Sequence, residues 1–265
     1  KIFYTDTSAE YWRGDAGLTH VELKTEEDVP FPDNVRRYLF SSTQHSPGML
    51  PQLSESKYGP TGNGLNIIDY RPLIRAALSN LLDWVKDDLE PPPSAYPRVS
   101  DGTAMTRPQL LGSLTEIAGL ALPTSAELNR IRPLDLGSVT EAGVAWLPSS
   151  PVGKPYESIV SSVNEDGNEI AGIAMPDISV PIGTHTGFNP RHPRSGGVGQ
   201  LVEYVGSTQL FGADEIERRY GGRGVYLRLI REAAEKLVQE RYLLVDDVEL
   251  CVDIAMERYD YALLS

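Results

Sequence analysis

One segment constrains this chain more than any other: a single amphipathic stretch from about Tyr70 to Leu89, boxed in by prolines. Leu73, Ala76, Ala77, Leu81, Trp84 and Val85 recur at spacings of three and four, which lines up one apolar stripe on a helix. Asp69 is placed to cap it, and Pro72 falls in the first turn, where its missing N–H costs little. The run Glu90-Pro91-Pro92-Pro93 stops it abruptly, because proline lacks the donor and clashes with the preceding turn. Two apolar segments of strand character precede this helix, Lys1–Tyr4 and Val35–Phe40. A helix with one apolar face must bury that face, and the nearest candidates are these strands. The expected class is therefore α/β.

Elsewhere the pattern is weaker. A loop rich in Gly, Pro, Ser and Asn follows the second strand as far as about Asn66, and Thr25-Glu26-Glu27-Asp28 reads as an acidic loop. From Asp101 to Asn164 one short helix is expected near Gln109–Leu120. Ile170–Ile182 alternates loosely and reads as one or two edge strands. The C-terminus is helical: one short helix starts at Ala213 and ends at Tyr220-Gly221-Gly222, and two more cover Val225–Glu240 and Val245–Tyr259. No internal repeat is visible. The formal net charge of −13 argues against a nucleic-acid partner, which needs clustered Lys and Arg, and favours solubility. No apolar run reaches the roughly 18 residues of a membrane span. The one cysteine, Cys251, excludes an internal disulfide and reads as a small buried residue on a helix.

The chemistry gathers in two segments of the same form. Ile2-Phe3-Tyr4 is followed by Asp6 and Glu10, and Tyr38-Leu39-Phe40 by Gln44 and His45. In parallel α/β sheets, ligands sit beyond the carboxyl ends of the strands, so adjacent parallel strands would set these two loops side by side. A carboxylate there can accept the imidazole Nδ1–H. It then fixes the tautomer and stabilises the imidazolium when Nε2 takes a proton. Either Glu10 or Asp6 could serve as the acid, the latter lying nearer its strand end.

The same residues resemble a known family. Phe3-Tyr4-Thr5 through Ser8-Ala9-Glu10-Tyr11-Trp12, then Val35–Phe40 with Thr43-Gln44-His45, are similar to the alpha/beta hydrolase domain-containing proteins. The likeness continues through Tyr70-Arg71-Pro72-Leu73-Ile74-Arg75-Ala76 and Trp84 to Pro91-Pro92-Pro93-Ser94. It returns at Pro181-Ile182-Gly183-Thr184, Thr186-Gly187-Phe188-Asn189 and Glu217-Arg218-Arg219-Tyr220. The resemblance implies an α/β-hydrolase fold with the triad in the order nucleophile, acid, histidine, with Glu10 as acid and His45 as base. No G-x-S-x-G elbow occurs in the chain, and only nine residues precede Glu10. The chain also opens inside an apolar strand, at Lys1-Ile2-Phe3-Tyr4.

The expectation is thus the C-terminal part of an α/β-hydrolase fold with a mixed, helix-ended extension. Residues 1–100 would supply the last strands and long helix of the core, and residues 101–265 a family-specific extension ending in three helices and packed on it. The nucleophile serine would lie upstream, in an N-terminal half of the same protein. The implied reaction is hydrolysis of a small-molecule carboxylic ester or related acyl bond, with the isolated chain inactive. A binding or scaffolding domain derived from a hydrolase is the contrary reading. Nothing in the sequence implies a cofactor or a metal, and compartment and oligomeric state stay open. His185 and His192, seven apart, match no zinc spacing and read as structural. His20 reads as a surface residue near Glu22. Trp12 either lines a pocket or packs beneath its loop, and Gly221-Gly222-Arg223-Gly224 reads as a turn between helices, not a phosphate loop.

Overall fold

The computed structural model describes residues 1–23 and 27–264. Of the acidic loop, Thr25 and Glu26 lie outside the described residues; Asp28 lies within them and accepts the N–H groups of Val99 and Ser100 at 2.9 Å each. The architectural centre is a parallel pair, β1 (Ile2–Thr7) and β2 (Val35–Phe40), in register from Ile2 opposite Val35 to Thr7 opposite Phe40. Both strands are rich in the aromatic and β-branched residues that suit a pleated surface. β2 is the buried one, continued on its far side by single rungs from Ala95 and Ile173: Leu39 N–H donates to Ala95 C=O at 2.8 Å, and Ile173 N–H to Leu39 C=O at 2.7 Å. Gly172 makes that last approach possible, with φ at +89° and a built Cβ only 2.5 Å from the Leu39 carbonyl. No described strand pairs with the other edge of β1, where Ile2 and Tyr4 are exposed.

α1 (Ser8–Arg13) follows β1 directly, started by Thr7 and stopped by Gly14 in the left-handed region. α2 (Arg71–Lys86) is the long helix expected from the sequence, trimmed at both ends. Tyr70, not Asp69, is its N-cap; Asp69 accepts the Arg71 N–H from one position earlier. Leu73, Ala76 and Trp84 are buried while Ala77 and Leu81 are half-buried. Val85 corrects the expected stripe. It is 62% exposed and belongs with Ile74, Leu78 and Leu82 to a second apolar row on the outer face. Trp84 closes the inner face against β1, 5.8 Å from the Phe3 ring, with Lys1 and Arg36 over its own ring.

The middle of the chain is short pieces. Two-residue pairs form between β3 (Glu55–Ser56) and β4 (Gly59–Pro60), and between β6 (Leu134–Asp135) and β7 (Ser150–Pro151). β5 (Ala104–Thr106) runs antiparallel to β8 (Ile159–Ser161), and α3 (Arg107–Ser113) starts from β5 through a Thr106–Gln109 capping box. Edge strands were expected over Ile170–Ile182. Instead the segment gives one isolated bridge, at Ile173, and then the short helix α4 (Pro176–Ser179), because Pro176 sits where a helix tolerates it and a ladder does not. β9 (Gly183–Thr186) and β10 (Ser207–Leu210) form an antiparallel pair. α5 (Ala213–Tyr220), α6 (Arg223–Gln239) and α7 (Val248–Ala262) complete the chain, with Gly221 and Gly222 as the turn between the first two.

These helices are not peripheral. Ala234, Leu237, Val248 and Cys251 pack in one apolar cluster with Tyr38, Phe40 and Leu73, joining α6 and α7 to β2 and α2. A buried ion pair adds to this join: Arg258 of α7 donates to Asp177 of α4 at 2.6 Å and also to the Ile67 carbonyl. No described helix is long and apolar enough to cross a membrane.

Candidate active site

The carboxyl ends of β1 and β2 carry the two loops singled out in the sequence, and the parallel register puts Thr7 opposite Phe40. α1 starts at once after Thr7, which fixes Glu10 at its third position. In this capping box the Glu10 Oε2 accepts the Thr7 N–H at 2.7 Å and the Thr7 hydroxyl at 2.5 Å. The other carboxylate oxygen, Oε1, lies 2.5 Å from His45 Nδ1. With Oε1 as the acceptor, Nδ1 is the donor, and in the neutral ring it is Nε2 that carries the lone pair. The imidazole is 55% exposed, so that lone pair can be reached by a reacting group. Asp6, the other candidate acid, is taken up by the Arg37 guanidinium at 2.7 Å.

The histidine loop is held by its backbone. His45 N–H donates to Tyr204 C=O at 3.2 Å, and the Tyr70 hydroxyl donates to the His45 carbonyl. The imidazole rests on the Tyr204 ring with centroids 4.7 Å apart, and Arg13 covers that ring at 4.3 Å. Tyr204 is itself in the left-handed region, φ +65°, as is Ser42 at φ +56°. Such conformations cost energy in non-glycine residues and persist only where the surroundings fix them. Gln44 accepts the Gly206 N–H at 3.1 Å, and Asn66 donates to the carbonyls of Ser42 and Thr186. A chain of polar contacts thus ties the loop to β9 and β10.

His45 lies on the wall of a cleft of about 650 Å³, with Leu53, Tyr58, Leu65 and Tyr204 among its lining. A smaller hollow of about 190 Å³ lies on the other side of Tyr204, bounded by Trp12, Arg13, Phe188 and Arg191. Trp12 therefore does both things considered for it: it packs against Phe188 at 4.3 Å and borders a hollow. A groove of about 550 Å³ at the opposite end of β2, around Phe31, Arg36 and Arg98, holds the Arg36–Glu90 ion pair and is lined by no histidine. Among the described residues no serine hydroxyl is hydrogen-bonded to His45. Ser8 and Ser42 are buried and engaged with Glu169, and Ser46 is exposed next to the histidine.

The remaining histidines lie elsewhere. His185 is fully buried on β9 with Nδ1 2.8 Å from the Thr208 hydroxyl, and burial pushes its pKa down to about 3. His20 corrects the surface assignment: it is buried, 3.0 Å from the Tyr11 hydroxyl, and burial, with Arg37 nearby, lowers its pKa to about 4. His192 caps a short turn by accepting the Arg194 N–H at 3.1 Å. Sequence reasoning missed Tyr70, Tyr204 and Glu169. Each reaches the histidine loop from far along the chain, and none sits in a local pattern that marks it.

A carboxylate–imidazole contact at the carboxyl ends of adjacent parallel strands, beside a cleft, is compatible with an α/β-hydrolase fold. The profile of the alpha/beta hydrolase domain family matches residues 2–253, and the chain belongs to that family. No curated protein and no solved structure matches it.

Proposed function

We propose that this chain carries the acid–base part of a serine hydrolase acting on a carboxylic ester or related acyl bond. Glu10 orients His45, and His45 acts as general base and then general acid through Nε2. The observation that carries the reading is the 2.5 Å contact between Glu10 Oε1 and His45 Nδ1 at the strand ends. The second carboxylate oxygen is occupied by Thr7, so Glu10 has little freedom to leave the imidazole.

In this reading the nucleophile is a serine amino-terminal to Lys1, on an elbow whose sheet adds to the free edge of β1. Residues 1–100 form the end of the core and residues 101–265 an extension packed on it. Three observations support this. The outer edge of β1 has no strand partner among the described residues. Ile2 and Tyr4 lie exposed there. The serines nearest the imidazole are either engaged with Glu169 or neighbours on its own loop. Backbone N–H groups of the same upstream part would form the oxyanion hole, where preorganised donors contribute most to the rate.

The test uses an activated ester and a serine-reactive phosphonate on two proteins, the 265-residue chain and a version extended upstream. Labelling is expected only in the extended protein, and His45→Ala should abolish it, while His185→Ala should reduce it far less. Labelling of a serine within the 265 residues would refute the proposed location of the nucleophile. No labelling of either protein would favour a binding domain derived from a hydrolase.

A further inference from the structure

Behind the Glu10–His45 pair lies a buried carboxylate to which the acid–base reading gives no part. Glu169 is 6% exposed and follows a tight turn in which Asn164 Oδ1 accepts the N–H groups of Asp166 and Asn168, both at 3.0 Å. The segment after it runs to Ile173, the rung on β2, which delivers Glu169 to the point where β2 ends. There it meets both functional loops at once. Its Oε2 accepts the Ser8 hydroxyl, one residue past Thr7 and two before Glu10. The same oxygen accepts the Ser42 N–H at 2.7 Å, three residues before His45. Two further bonds close the figure: Glu169 N–H donates to the Ser42 hydroxyl at 2.8 Å, and Thr43 N–H donates to Ser8 Oγ at 3.3 Å. Gly187 packs directly over Ser8, a built Cβ lying 2.3 Å from the Ser8 Cβ, so the helix start cannot shift that way.

No cation is ion-paired with Glu169 among the described residues, although a buried carboxylate is ordinarily stabilised by one. Burial pushes its pKa up to about 7, against the opposing pull of the Ser42 and Ser8 hydrogen bonds. This costly acid without a cationic partner sits where a single oxygen reaches both the loop of the acid and the loop of the base.

We propose that Glu169 is a positioning residue that joins the Glu10 helix to the His45 loop and thereby sets the distance between Glu10 Oε1 and His45 Nδ1. This rests on the acid–base reading of those two residues. Without Glu169 the Ser8 hydroxyl and the Ser42 N–H lose their common acceptor. Ser42, held at positive φ, is then free to relax, and the imidazole drifts relative to Glu10. A displacement of about 1 Å in a catalytic group costs on the order of 10²-fold in rate.

The test is made in the full-length protein with two readouts. One is the low-field proton resonance of His45 Nδ1–H, assigned by its loss in His45→Ala. The other is the ratio of kcat to KM effects on an activated ester. Glu169→Ala should shift the resonance upfield or broaden it away and lower kcat by about 10²-fold, with KM within about 2-fold. Glu169→Gln keeps an oxygen that can accept both donors, and should restore the resonance and most of kcat. Ser8→Ala removes the Ser8 arm and the acceptor of Thr43 N–H but leaves the Ser42–Glu169 bonds, and should fall between; it carries the test if Glu169→Ala does not fold. A resonance and kcat unchanged in Ser8→Ala and in a folded Glu169→Ala overturn the positioning role. A resonance that does not respond to Glu10→Gln overturns the acid–base pair itself, and the positioning role with it.

Discussion

Glu10 and Glu169 hold the adjacent residues Thr7 and Ser8 and have opposite surroundings. Glu10 spends its carboxylate on Thr7 and His45 at the edge of a cleft, whereas Glu169 is enclosed. The consequence for stability follows from linkage. The Glu169 pKa rises from the ordinary 4.5 to about 7 on folding, so the folded state binds the proton more tightly than the unfolded chain. Its contribution is fully present below pH 4.5 and is lost as pH rises through 7, for a total of about 3 kcal/mol. Urea unfolding of the wild type and of Glu169→Gln at pH 4.5 and pH 8 should show the wild type losing ground to the variant by that order as pH rises. A constant difference across this range would mean that Glu169 does not titrate there. His20 and His185 act in the other sense. Their pKa values fall to about 4 and about 3, so their contribution is present above 6.5 and is lost as pH drops through those lower values.

Among the elements, α2 shows how a periodic pattern can be right about type and incomplete about burial. Spacings of three and four identify the helix, but the sequence has two apolar rows. Leu73, Ala76 and Trp84 face β1 and β2, while Ile74, Leu78, Leu82 and Val85 face outward. Only contact with a neighbour distinguishes the rows. Leu73→Ala should therefore cost about 2–5 kcal/mol in urea unfolding, because it opens a cavity in the cluster with Tyr38 and Phe40. Leu78→Asp with Val85→Asp should stay within about 0.5 kcal/mol each, since most of each side chain stays in solvent on folding. The same pair should diminish binding of a hydrophobic dye to the 265-residue chain, as expected of an uncovered apolar row. Equal costs for the two faces would contradict the assignment. The loose alternation over Ile170–Ile182 failed for a related reason. Alternation predicts a strand only where a partner supplies a ladder, and here β2 offers a single rung at Ile173 before Pro176 turns the chain into α4.

At the scale of the whole molecule, the C-terminal helices are joined to the strand-bearing part by a shared apolar cluster and by the Asp177–Arg258 pair. Both side chains of that pair are almost fully enclosed, so removing one partner leaves a charge without compensation. Asp177→Ala should cost about 3–5 kcal/mol, most of it the burden of an unpaired Arg258. Asp177→Ala combined with Arg258→Met should recover a large part of that loss. If the single and the double variant are equally unstable, the helices are held by the apolar contacts alone. The sequence by itself determined the α/β class, the two strands, the long helix, the C-terminal helices and the two polar loops that carry the candidates, Asp6 and Glu10 on one and His45 on the other. It could do so because periodicity, caps, prolines and chain order are local properties. The tertiary structure alone decided that Glu10 rather than Asp6 meets His45, that Arg37 occupies Asp6, that His20 is enclosed, and that Glu169 ties the two loops together. Those outcomes depend on which groups become neighbours once two strands offset by 33 residues in register lie side by side and Glu169, 124 residues beyond His45, is laid against their ends. No local spacing records such contacts; burial and hydrogen-bond completion select them only in the folded chain.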